Sequence, residues 1–90
     1  MNIILERKLF SGPIYKIVED LDLILSVTKG SKTLKLNHKV MDRTKREGLI
    51  IHFYLCNTGD DEYSVCVVFD DEQNKEYTFK IDDLDPLDSD

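Results

Sequence analysis

Three observations predict a mainly β fold, a small antiparallel barrel or sandwich with at most one short helix. Apolar residues alternate cleanly in the second half of the chain, β-branched and aromatic residues fill the apolar runs, and turn-forming residues separate them. Ninety residues leave room for one hydrophobic core, so a single domain is expected over residues 1–87, with an acidic end fraying at 88–90.

Taken in order, residues 3–10 read as a strand, stopped by Ser11-Gly12-Pro13. Residues 13–21 fit two patterns. Ile14, Ile17, Val18 and Leu21 make a helical stripe with Pro13 in its first turn, whereas the β-branched content of residues 13–18 favours a strand. Residues 23–28 and 32–36, joined through Lys29-Gly30-Ser31, form a hairpin. Residues 38–47 hold few apolar side chains and are expected to be one or two helical turns or a mobile basic loop. Then comes a meander. Residues 49–56 are a run of β-formers ending in the turn Asn57-Thr58-Gly59-Asp60-Asp61, and residues 63–69 place Tyr63, Val65, Val67 and Phe69 on one face. A polar turn over residues 70–74 leads into residues 76–81, with Tyr77, Phe79 and Ile81 facing inward. Six or seven strands result.

The stretch Val67-Val68-Phe69-Asp70-Asp71, followed by Glu76-Tyr77 and then Asp83-Leu84-Asp85-Pro86-Leu87, resembles the end of an SH3-like barrel of the Tudor type. The likeness spans roughly residues 48–87 and implies a small barrel. It departs where methylated ligands are held in that family, because Asp71 and Glu72 stand where a tyrosine and a glycine are usual. Tyr63 and Phe69 are candidate walls of an aromatic cage, but the alternation assigns them to the core first. The resemblance is therefore carried to the fold and not to ligand binding.

Charge is divided unevenly. Residues 29–47 carry seven basic side chains against Asp42 and Glu47, residues 57–90 carry twelve acidic ones against Lys75 and Lys80, and the whole chain has a net charge of −6. Such asymmetry speaks to partners and solubility. In the meander, Asp60, Asp61 and Glu62 are expected beside Asp82, Asp83 and Asp85 at one end of the sheet, with Asp70, Asp71 and Glu72 at the other. Clustered carboxylates steer a basic partner, although loop carboxylates also serve simply to keep a small β protein soluble. The basic segment, Lys39, Arg43, Lys45 and Arg46 with Lys32 and Lys35, suits phosphates. It lacks the interleaved aromatic residues that stack on bases. A further account sets the basic segment against the acidic end of the same molecule or of a second copy.

Other chemistries find little support. Cys56 and Cys66 lie within apolar runs, as reduced thiols acting as small hydrophobes do, and with His38 and His52 they lack zinc-finger spacing. The acidic loops lack the alternate spacing and central glycine of an EF-hand. His52 sits mid-strand, and no phosphate loop or nucleophile elbow is present. No metal, no cofactor and no catalytic residue is assigned. No apolar run approaches the roughly 20 residues that span a bilayer, and charges follow closely on the first apolar residues, the reverse of a secretory signal. A cytoplasmic, non-catalytic protein follows, engaging a basic protein partner through Asp60, Asp61, Glu62, Asp82, Asp83 and Asp85 as an inhibitor, immunity-like or accessory factor. The alternative is an SH3- or Tudor-like module binding nucleic acid or a peptide through residues 39–46, and a homo-oligomer pairing through an edge strand is a third expectation.

Overall fold

The computed structural model describes residues 2–9, 12–56 and 62–87. They form nine strands: β1 (Ile3–Lys8), β2 (Ile14–Asp20), β3 (Leu23–Lys29), β4 (Lys32–Lys35), β5 (Lys39–Asp42), β6 (Glu47–Cys56), β7 (Glu62–Phe69), β8 (Glu72–Lys80) and β9 (Leu84–Pro86), with a single 3-10 turn at Ile81–Asp83 before β9. Two antiparallel sheets result, ordered β1-β2-β3-β4 and β8-β7-β6-β5-β9. The mainly β expectation holds, but the two sheets are not closed into a barrel.

The first sheet is a run of consecutive hairpins. Residues 13–21 resolve as a strand because Tyr15 and Ile17 alternate into the core, which a helical stripe would not allow, and both are essentially inaccessible. Leu5, Ile17, Val27 and Leu34 lie across from one another in register. Gly30, at φ +63°, opens the two-residue loop between β3 and β4, a place where glycine avoids the cost of a Cβ. At Leu36 to His38 the chain leaves this sheet for the other. The Leu36 amide still donates to the Leu25 carbonyl at 2.7 Å, while the Asn37 amide already donates to the Ile50 carbonyl at 2.8 Å. Asn37 makes the corner at φ +65°, a conformation that asparagine tolerates better than most residues.

The second sheet contains the meander read from the sequence. Tyr63, Val65, Val67 and Phe69 all point inward. Two boundaries differ. The turn between β7 and β8 is only Asp70-Asp71, so Glu72, Gln73 and Asn74 belong to β8. The segment expected as helix or basic loop is instead β5 and a tight turn whose Asp42 carboxylate accepts from the Thr44 amide, the Thr44 hydroxyl and the Arg46 amide at 2.8–2.9 Å. Those three donors outweigh the penalty of partial burial and hold the Asp42 carboxyl below its ordinary value. Gly48 lets β6 lie close on β7: a Cβ there would meet Val67 Cγ1 at 2.6 Å and the Val68 carbonyl oxygen at 2.9 Å. The core between the sheets joins Tyr15, Ile17, Val27 and Leu34 to Val40, Ile50, Phe53 and the β7 residues, with Ile81 and Leu84 closing one end. The expected strand end at Phe10, the turn expected at residues 57–61 and the end at residues 88–90 fall outside the described residues.

Candidate functional site

Three groups of charged side chains occupy the surface that the sequence singles out. The first surrounds Lys29 at the end of β3. Its Nζ lies 2.5 Å from Asp82 Oδ2 and 3.9 Å from Glu62 Oε1, near Tyr15, which packs on Tyr63 with ring centroids 5.1 Å apart. Burial alone would lower the Lys29 pKa, but the hydrogen bond to Asp82 and the nearby Tyr15, Asp82 and Glu62 groups raise it. The same hydrogen bond holds the Asp82 carboxyl below its ordinary value. Lys32 reaches Asp85 at 3.4 Å and Lys80 reaches Glu62 at 3.5 Å. On β1, Arg7 donates to the Tyr63 hydroxyl and to Glu19 Oε1, both at 3.0 Å.

The second group is the pair Arg43–Asp83 at 3.1 Å, with Arg43 Nη2 also donating to the Asp82 carbonyl at 3.3 Å. Beside it, Asp42, Arg43, Thr44, Phe79 and Asp83 line an open cleft of about 270 Å³. The third group sits on the β7–β8 hairpin. The Arg46 guanidinium lies 3.9 Å from the Phe69 ring centroid and 5.7 Å from that of Tyr77, with Asp71 Oδ1 at 2.9 Å and Glu72 Oε1 at 3.4 Å. Tyr77 donates to Glu72 at 2.6 Å, which together with Arg46 holds that carboxyl below its ordinary value. Lys39 pairs with Asp70. The cations over these rings are the chain's own, Arg46 over Phe69 and Lys75 over Tyr77 at 4.9 Å from its centroid.

The predicted residues divide accordingly. Asp60 and Asp61 lie outside the described residues. Glu62 and Asp82 come together, as expected, but around Lys29; Asp83 faces Arg43 and Asp85 faces Lys32. Among the described residues, Glu62, Asp82, Asp83 and Asp85 are therefore matched by Lys29, Lys32, Arg43 and Lys80. Within the single chain, Arg43 of the basic segment lies against the acidic end at Asp83, whereas Lys39 and Arg46 lie against Asp70, Asp71 and Glu72 at the opposite turn. Of the basic segment, Lys39, Arg43 and Arg46 each meet a carboxylate, and Lys45, in the turn at φ +71°, has no ion pair among the described residues. Sequence reading missed Lys29 and Lys32 as the acids' partners, although the order of opposite charge blocks was the available signal.

On the outer face of the second sheet, His52 stands opposite Cys66, and Cys66 Sγ donates to Glu76 Oε1 at 3.4 Å. This arrangement does not make a nucleophile. Burial, reinforced by the Glu76 carboxylate, pushes the Cys66 thiol up to about 11, so the thiolate is scarce at neutral pH. His52 instead stacks on Tyr54, with ring centroids 5.9 Å apart. No group of three or more potential metal ligands converges among the described residues, and no described helix is long and apolar enough to cross a membrane. No family model, curated protein or solved structure matches this chain.

Proposed function

We propose that this chain is a small, acidic, non-catalytic protein that binds a basic protein partner by charge complementarity, in the manner of an inhibitor, immunity-like or accessory factor acting in the cytoplasm. The observation that carries this reading is the internal matching of the basic block. Lys29, Lys32, Lys39, Arg43 and Arg46 all lie against the chain's own carboxylates, while the chain keeps a net charge of −6. What remains for a partner is an excess of negative charge, which accelerates encounter with a cationic surface and is screened by salt. The same pairs weigh against nucleic-acid binding through residues 39–46, since phosphates would compete with carboxylates already in place.

Titration of the labelled protein with a lysine-rich peptide and with duplex DNA, at low and at moderate salt, tests the proposal. Binding of the peptide that weakens with salt, with none of the DNA, is the expected outcome. Retention of DNA that is lost in an Arg43→Ala/Arg46→Ala variant would move the function to the basic segment and overturn it.

A further inference from the structure

The cleft beside the Arg43–Asp83 pair is walled by Asp42, Arg43, Thr44, Phe79 and Asp83. Its volume of about 270 Å³ lies below the roughly 300–1,000 Å³ of pockets that take a whole small molecule. A space of that size suits one side chain. Phe79 supplies an apolar wall: it is half-buried and held edge-on to Phe69, with ring centroids 5.7 Å apart. A guest that covers this wall needs an apolar stem behind its polar end, as the long amphipathic side chains have.

Asp42 sets the polar end. Glu62, Asp82, Asp83 and Asp85 each face a cation, whereas Asp42 has no ion-pair partner among the described residues. Its Oδ1 accepts from the Thr44 amide, the Thr44 hydroxyl and the Arg46 amide, which fix the carboxylate in place without a countercharge. Its Oδ2 makes no hydrogen bond among the described residues. A carboxylate with one oxygen to spare suits a point donor: an arginine fork takes both oxygens side by side, whereas a lysine ammonium needs only one. The cation in the lining, Arg43, is 73% exposed and is turned to Asp83 and the Asp82 carbonyl, and Lys45 of the same turn is not among the walls. Two carboxylates against one arginine leave the lining net negative.

We infer that this cleft receives a lysine side chain of the basic partner, its ammonium on Asp42 and its methylene stem on Phe79, with Arg43 as a competing cation beside it. The inference rests on the proposed function and gives the partner a carboxylate that the chain's own cations leave unmatched.

The test follows backbone amide shifts of the isotope-labelled protein during titration with tetralysine, with tetraarginine and with inorganic phosphate. Tetralysine is expected to shift residues 42–44, 79 and 83 and to bind more tightly than tetraarginine. Asp42→Asn keeps an oxygen for the three donors of the turn and removes the charge. It should cut the tetralysine affinity about five-fold, the upper end for a partly exposed ion pair. Asp22→Asn, the same charge change in the β2–β3 loop, should leave that affinity unaltered, and Arg43→Gln, which removes the competitor, should raise it. These opposite signs separate the proposal from a loss of folding. Shifts elsewhere, with Asp42→Asn no different from Asp22→Asn, would overturn the cleft and leave the basic-partner reading standing. Equal binding of tetraarginine at the same residues would overturn the lysine assignment, and no binding of either peptide would overturn both readings. Phosphate shifts at residues 43 and 83 that vanish in Arg43→Gln would make the occupant an anion and also overturn the inference.

Discussion

A left-handed backbone costs an L residue roughly 1–2 kcal/mol, and asparagine meets part of that cost with its own side chain. Leu21, in the loop between β2 and β3, has φ of 51°, so replacing it by asparagine should stabilise the fold by about 0.5–1 kcal/mol in urea denaturation. At Gly48 the sign reverses: a Cβ overlaps Val67 and the Val68 carbonyl, so Gly48→Ala is expected to cost about 1–3 kcal/mol by the same measurement. Lys29 and Asp82 predict the pH dependence. Asp82 is depressed in the folded state, so its contribution is complete above the ordinary value of 3.8 and is lost as pH falls through the lower folded value. Lys29 is raised, so its contribution is complete below 10.5 and is lost as pH rises through the higher folded value. Thermal melts of wild type and Asp82→Asn across the acid range should converge at low pH, because the variant has already lost what acid removes. Parallel curves would show that the pair contributes nothing.

The clearest element is the β7–β8 hairpin, clasped from outside by Arg46 across Phe69 and Tyr77. Its planar guanidinium lies on the Phe69 ring while the single nitrogen Nη2 meets both Asp71 and Glu72, a placement that a lysine ammonium, which has no flat face to stack, does not reproduce. Arg46→Lys should thus lower the melting temperature almost as far as Arg46→Ala; full rescue by lysine would reduce the clasp to simple charge pairing. This hairpin was also the most legible part of the sequence, because period-two alternation fixes which face of β7 is buried. Residues 13–21 were ambiguous for a physical reason: Ile14, Ile17, Val18 and Leu21 satisfy a helical period, and only packing of Tyr15 and Ile17 against β3 and β7 decides against it. β5 was illegible because its four residues carry one fully buried side chain, Val40, and its existence depends on pairing with β6 and with the distant β9. The charged clusters were legible as clusters, but their partners are set by how the two sheets stack, which no local pattern encodes.

At the scale of the whole molecule, opposite charges distant in sequence meet where the sheets come together: Lys29 and Lys32 belong to the first sheet, Asp82 and Asp85 to the final turn and strand. Each pair is worth little alone, about 0.2–1 kcal/mol for partly exposed ions. Together they orient the last strand on the first sheet. That last strand has a kinetic consequence. Every strand pairing among the described residues joins neighbours in the chain except β5 with β9, where Val40 meets Pro86. Two local meanders can form early, at small loop-closure cost, while β9 must wait for the long intervening segment to be ordered. Leu84, inaccessible in the core, should then contribute after the rate-limiting step: Leu84→Ala is expected to accelerate unfolding and leave the folding rate nearly unchanged in stopped-flow experiments. The strand that completes the second sheet thereby acts as a latch, setting how long the folded protein survives rather than how quickly it is made.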